Sequence, residues 1–234
     1  MHYSYLPGPE KKLDMTAETQ VDSSFREQFL LFAIEQDVLR FGEFTLKSGR
    51  KSPYFFNAGL FNTGGAMARL GEFYAQAIVD SGVEFDMLFG PAYKGIPLVT
   101  VTAAALAGMF GRDVPLAFNR KEAKDHGEGG NTVGAPVDGK VLIIDDVITA
   151  GVAVREAITL IRETGAEPVG LTVALDRQER GPDGRSAIES LEDEFGLAVI
   201  SIARLDDLIG LLQENETLVT FLPQLREYRA EYGV

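Results

Sequence analysis

Cysteine is missing from all 234 residues, and histidine occurs only twice. The first absence excludes disulfides, cysteine-ligated zinc and a thiol nucleophile. The second argues against a histidine-rich metal centre. Any metal would be a hard cation on carboxylates or on substrate phosphates, which points to Mg²⁺. Positive charge is scarce too: 22 Lys and Arg against 35 Asp and Glu give a net charge of −13. Sequence-independent nucleic-acid binding needs a basic surface, so that class is set aside. Cations that meet an anionic ligand must then be local. Residues 95–111 carry no charge, but this stretch is short, rich in Ala and Gly, and reads as a buried helix rather than a membrane span. Residues 1–9 lack the basic region and apolar core of a signal peptide. The expectation is a cytoplasmic protein without nucleic-acid or membrane partners.

With 45% hydrophobic and 24% charged residues, the chain suits one globular domain with a real core. Residues 1–21 are polar and hold Pro7 and Pro9, so a mobile tail is expected, with Met15 as an alternative start. From there the spacing of Phe25, Phe29, Phe32, Ala33 and Gln36 predicts a helix, with Ser23 or Ser24 as its cap. Residues 43–46 and 54–57 read as short strands around a cationic turn holding Lys47, Arg50 and Lys51. Helices are then predicted over 66–81, 96–110, 152–164, 186–195, 205–213 and 222–232. Strands are predicted over 86–89, 114–118, 141–144, 169–175 and 198–202. This alternation predicts an α/β fold, a parallel sheet with helices on both faces. Ligands of such sheets bind beyond the carboxyl ends of the strands.

The most informative loop follows residues 141–144. An apolar strand ends in Asp145 and Asp146; Thr149, Ala150 and Gly151 make a small-residue turn, and a helix begins. Backbone N–H groups of such a turn, with the positive end of a helix, can cradle a phosphate. Two carboxylates would repel a phosphate unless they bind sugar hydroxyls or a metal. A phosphorylated sugar meets both demands. Taken alone, Asp146 could instead cap a helix in an ordinary strand–helix unit.

Residues 119–131 pack Arg120, Lys121, Lys124 and His126 ahead of three glycines without hydrophobic periodicity, and read as a long loop, hence a lid. In isolation they could be a solvated surface loop. Tyr93 and Lys94 lie in a Gly/Pro turn after the strand at 86–89, which suits a diphosphate or a plain βα turn. Arg177 follows the strand at 169–175 and could take a planar carboxylate on two bonds, or simply pair with Asp176 on the surface.

The acid pair with its Thr-Ala-Gly turn resembles the phosphoribosyl-diphosphate motif of the type I phosphoribosyltransferases. Residues 41–50 and 118–127, the Phe55-Phe56 pair and Asp176-Arg177 narrow the resemblance to the bacterial single-function orotate phosphoribosyltransferases, over residues 24–234. The departure is an N-terminal stretch of about twenty residues. The resemblance implies the type I fold, a mainly parallel sheet flanked by helices, as one domain over 22–234 with a small hood mainly from 22–65. It also implies Mg²⁺-dependent transfer of ribose 5-phosphate from 5-phosphoribosyl 1-diphosphate to orotate, giving orotidine 5′-phosphate and diphosphate.

Carried over residue by residue, Asp145 and Asp146 would hold the ribose hydroxyls. Val147, Ile148, Thr149, Ala150, Gly151, Val152 and Ala153 would hold the 5-phosphate. Tyr93 and Lys94 would face the diphosphate, with Mg²⁺ mainly on substrate oxygens and water. Lys47 would reach the reacting centre, where Lys124, Asp145 and Asp146 complete the catalytic group. Phe55, Phe56, Thr149 and Arg177 would bind orotate, Arg177 through its carboxylate. Arg120, Lys121, Lys124 and His126 would form a lid that crosses to the neighbouring subunit of a homodimer. Transfer to another base, or a non-catalytic sensor of the same sugar phosphate, would be the competing functions. A purine offers Arg177 no carboxylate, and such sensors usually carry a nucleic-acid-binding domain or a basic face.

Overall fold

The computed structural model describes residues 25–46, 49–124, 130–148, 151–181 and 184–234, without the side chains of 122–124 and 130. The expected tail, the caps Ser23 and Ser24, and Lys47, His126, Thr149 and Ala150 lie outside the described residues, as does the Lys124 side chain.

Helix α1 (Phe25–Glu35) forms on the predicted spacing and buries Phe29, Leu30 and Ala33. Strands β1 (Leu39–Thr45) and β2 (Lys51–Phe56) pair antiparallel as a separate two-stranded sheet. Both are longer than the sequence suggests. Lys51, Ser52 and Pro53, expected in the turn, belong to β2. Pro53 sits where the register shifts between Phe41 and Phe44, so its missing N–H costs the ladder nothing. Helix α2 (Gly64–Ser81) starts at Thr63, whose hydroxyl accepts from the Ala66 N–H.

The central sheet follows. Strand β3 (Met87–Gly90), helix α3 (Gly95–Phe110), β4 (Leu116–Lys124), β5 (Gly130–Gly134), β6 (Lys140–Ile144), α4 (Val152–Glu163), β7 (Glu167–Asp176), α5 (Ala187–Phe195) and β8 (Ala198–Arg204) succeed one another. Their order in space is β5-β4-β3-β6-β7-β8. All neighbours are parallel except β4 and β5. Helices α6 (Leu205–Glu214) and α7 (Leu222–Tyr232) close the fold.

Strand β6 has four consecutive buried apolar residues, and alternation divides them between the two faces. Leu142 and Ile144 join one core with Leu88 and with Leu98, Val99 and Leu106 of α3. Val141 and Ile143 join the other with Phe89 and with Val154, Ala157, Ile158 and Ile161 of α4. Truncating a core side chain such as Leu142 to Ala would cost about 2–5 kcal/mol. The helices that leave β3 and β6 thus cover opposite faces, and their connections diverge. A crevice opens at the carboxyl ends of these two neighbouring strands, where α/β sheets bind ligands.

One expectation is corrected. Residues 119–124 are not loop but the outer half of β4, and β5 returns antiparallel beside them, pairing Asn119 with Thr132 and Phe118 with Val133. The backbone ladder holds this arm, which needs no apolar side-chain period. Beyond β7 the chain turns at Gln178, whose φ of +48° is rare for a residue with a Cβ. Residues 178–180 then meet the C-terminal residues: Arg180 N–H donates to the Tyr232 carbonyl, and Val234 N–H to the Gln178 carbonyl.

Candidate active site

Asp145 and Asp146 end β6 inside the crevice. Tyr74 from α2 donates its hydroxyl to the Asp145 carbonyl at 2.8 Å, and the Ala174 N–H donates to the Asp146 carbonyl at 2.8 Å. The side chains differ in partner. Lys94 Nζ donates to Asp146 Oδ2 at 2.5 Å, while Asp145 Oδ1 accepts the Asp146 N–H at 2.9 Å. Burial, reinforced by the charge of Asp146, pushes the Asp145 carboxyl up to about 7. One acid is therefore paired with a lysine, and burial holds the other toward its neutral form. That removes much of the repulsion an anion would meet here.

The anion cradle lies beside them. Gly151 precedes α4 with φ +68° and offers no side-chain cap, so the first amides of α4 are open to a ligand. A side chain at position 151 would be strained in this conformation. The first turn of α4 carries no acid, and Val152 is 60% exposed. A depression of about 160 Å³ is lined by Asp145, Val147, Ile148, Gly151, Val152, Ala153 and Val154. Val147 and Ile148 turn half-buried side chains toward the two cores.

The turn after β3 supplies Tyr93 and Lys94. Gly90 and Gly95 lie so close that a Cβ on Gly90 would collide with the Gly95 carbonyl. This packing folds the turn back over the strand end. The Ala92–Tyr93 peptide is cis, and the Ala92 N–H donates to Asn119 Oδ1 of β4 at 2.7 Å. Lys121 Nζ lies 5.2 Å above the Tyr93 ring, so the polar arm and this turn touch within one chain. Arg120 is partly buried beside it on β4.

On the other side of the acids, Arg177 follows β7 and is 9% exposed. It lies 4.4 Å above the Tyr54 ring and donates from Nη2 to Ser52 Oγ at 3.3 Å. Its carboxylate partner is not Asp176, the neighbour considered from the sequence, but Glu179, which accepts from Nε at 2.7 Å. Asp176 instead accepts the Gln178 N–H at 2.8 Å. Phe55 and Phe56 point to opposite sides of β2. Phe55 is 38% exposed and stacks on Phe44, while Phe56 is buried near Phe29.

Thus the crevice brings together Tyr93, Lys94, Asp145, Asp146 and residues 147–148 and 151–153, with Arg177 at its β7 side and Phe55 and Phe56 on the adjoining hairpin. Sequence reasoning missed Tyr74, Asn119, Ser52, Tyr54 and Glu179. Only Glu179 had a signal, two residues beyond Arg177. A larger cavity of about 490 Å³ lies between β1–β2 and α7, reaching Ser52 and Tyr228. It is away from the acid pair. Chemically, the crevice suits a ligand with a phosphate, vicinal hydroxyls and a second anionic group.

Comparison with known proteins agrees with that chemistry. The family described as the phosphoribosyl transferase domain matches residues 60–200. The orotate phosphoribosyltransferase of Thioalkalivibrio sulfidiphilus is 64% identical over 211 residues, 90% of this chain and 99% of that protein. That of Pseudomonas aeruginosa is 59% identical over 211 residues, with the same coverage. The crystal structure of the Francisella tularensis orotate phosphoribosyltransferase superposes with a TM-score of 0.80 at 44% identity, covering 88% of this chain and 100% of that one.

Proposed function

The chain belongs to the orotate phosphoribosyltransferases, and from that premise we propose how its own residues carry the reaction. Ribose 5-phosphate passes from 5-phosphoribosyl 1-diphosphate to N1 of orotate, releasing diphosphate and giving orotidine 5′-phosphate, a step of pyrimidine nucleotide synthesis. The observation that carries the assignment of roles is the juxtaposition of the acid pair with the uncapped start of α4 at the switch point of the sheet.

The amides of Gly151, Val152 and Ala153 hold the 5-phosphate, together with Val147, Ile148, Thr149 and Ala150. Asp145 and Asp146 accept from the ribose hydroxyls. To do so Asp146 exchanges its bond to Lys94 for one to the sugar, and Lys94 is released toward the diphosphate. Tyr93 flanks the same group. Arg177 takes the orotate carboxylate, and the hairpin bearing Phe55 and Phe56 covers the base. The charge of orotate sits on the carboxylate that Arg177 takes; as the N1–C1′ bond forms and the C1′–O bond to diphosphate breaks, the N1 proton passes to a diphosphate oxygen or to water.

Asp145 and Asp146 are hard oxygen donors of the kind Mg²⁺ takes. Among the described residues no cluster of three or more His, Cys, Asp or Glu could hold a metal ion. Substrate oxygens and water would therefore complete its shell. When bound, Mg²⁺ supplies positive charge to the departing diphosphate. Lys47, Arg120, Lys121 and Lys124 add protein cations as the anomeric carbon becomes oxocarbenium-like, and His126 belongs to the same lid. Closing the lid excludes water that would hydrolyse the sugar.

The same proposal takes residues 22–234 as one catalytic domain, with the hood mainly in 22–65 and residues 1–21 as a tail. It makes the working form a homodimer whose β4–β5 arms reach the neighbouring site. A cytoplasmic location belongs to it too, because both substrates are charged and do not cross membranes unaided. To test base choice, orotate, uracil, adenine, guanine and hypoxanthine are offered separately with 5-phosphoribosyl 1-diphosphate and Mg²⁺. Nucleotide should form with orotate alone; equal turnover of a purine would overturn the role of Arg177.

A further inference from the structure

Arg177 does not stand alone behind the orotate site. Its Nε–Nη2 edge is held by Glu179, and its face lies on the buried ring of Tyr54. Glu179 is itself held twice more. The Tyr228 hydroxyl of α7 donates to Glu179 Oε1 at 2.8 Å, and Arg50 Nη1 lies 3.8 Å from Oε2. The turn that brings Glu179 round to Arg177 uses the left-handed backbone of Gln178. That conformation is fixed on two sides: the Gln178 N–H donates to Asp176, and its side chain exchanges two hydrogen bonds with Asp206 of α6. Such a backbone persists only where its surroundings over-determine it.

From this geometry we infer that Glu179 is a positioning residue for orotate: it fixes the plane of the Arg177 guanidinium, and Tyr228 ties that plane to helix α7. The inference rests on the proposed role of Arg177. Charge supports it. Arg50 offsets the carboxylate, so the group of Arg50, Arg177 and Glu179 keeps one net positive charge for the substrate. Donors support it as well. Among the described residues Glu179 and Ser52 use Nε and Nη2, which leaves the Nη1 end of Arg177 for the orotate carboxylate. A guanidinium fixed in advance loses less freedom on binding than one that must be gathered from solution. Glu179 and Tyr228 act through Arg177, so the effect falls on orotate binding and not on the chemical step.

Steady-state kinetics on the full chain test this with Arg177→Ala, Glu179→Gln and their combination. Glu179→Gln should raise the orotate KM by about 5–30-fold, the scale of one weakened charged hydrogen bond. Its kcat and the KM for 5-phosphoribosyl 1-diphosphate should stay within about twofold. In the Arg177→Ala background the same change should do nothing further to the orotate KM. An unchanged KM in Glu179→Gln overturns the inference. So does a lower KM, which would make Glu179 a competitor for the guanidinium, or an equal rise with Arg177 already absent. If Arg177→Ala itself leaves the orotate KM unchanged, the assignment of Arg177 fails instead, and that result is separate. Should Glu179→Gln not fold, Tyr228→Phe gives a second reading. It should raise the orotate KM about 2–5-fold with the other constants unmoved, and no rise would overturn the link to α7.

Discussion

Asp145→Asn should make the substrate-free protein more stable relative to wild type as pH rises. Burial, with the charge of Asp146 beside it, lifts the Asp145 carboxyl from its ordinary 3.8 to about 7. The folded protein therefore binds this proton more tightly than the unfolded chain does. The stabilisation that goes with the proton is complete below 3.8 and is lost as pH rises through about 7. Each unit of separation is worth about 1.4 kcal/mol. Near pH 5 roughly one unit has been lost, and near pH 8 about three. The difference between those conditions comes to about 2–3 kcal/mol. Asparagine keeps the shape, and its oxygen can still accept the Asp146 N–H, but it does not titrate. In paired thermal melts without substrate, the variant should gain roughly 5–10 °C on wild type between about pH 5 and about pH 8. A gap between the two proteins that does not change with pH would refute the reasoning, because the buried carboxyl would then not be perturbed.

Three further outcomes follow from the site. Lys124→Ala should lower kcat by about 10²–10³-fold, the scale for one oriented cation in the transition state; a loss below about threefold would remove Lys124 from the mechanism. Gly151→Ala forces a Cβ into the left-handed region at φ +68°, which costs about 1–2 kcal/mol, and should raise the KM for 5-phosphoribosyl 1-diphosphate more than that for orotate. Equal effects on both would detach residue 151 from the phosphate. Finally, a variant inactive in the lid (Lys124→Ala) mixed with one inactive at the acids (Asp146→Asn) should regain activity as subunits exchange. No recovery after exchange shown by mass spectrometry would mean that each site is built from one chain.

The strand at 141–144 and its two acids were legible because an apolar run that stops at charge marks both a buried strand and its exposed end. The division of that run between two cores was not, since four apolar residues show no alternation; only the packing of α3 and α4 on opposite faces assigns them. Residues 119–131 were read as loop for a related reason. The described part of that stretch is mostly polar, so the pairing of β4 with β5 leaves no hydrophobic period to read. Likewise, Pro53 suggested a turn, yet it occupies an irregular point of a two-stranded ladder where no N–H is required. The pairing of Lys94 with Asp146 bridges 52 residues of sequence and depends on β3 and β6 being neighbours in space. Arg177 drew attention as an arginine where a strand ends. What holds it, Glu179 and the ring of Tyr54, became visible only once the turn at Gln178 and the hairpin were in place.

The most direct measurement follows the ultraviolet absorbance of orotate when the protein, 5-phosphoribosyl 1-diphosphate and Mg²⁺ are mixed. The account predicts that orotate is consumed, that omitting either the sugar diphosphate or Mg²⁺ stops it, and that orotidine 5′-phosphate accumulates in step. Orotate left intact by folded protein that still binds 5-phosphoribosyl 1-diphosphate would contradict the account and move the assignment to another acceptor or to a sensor of that ligand.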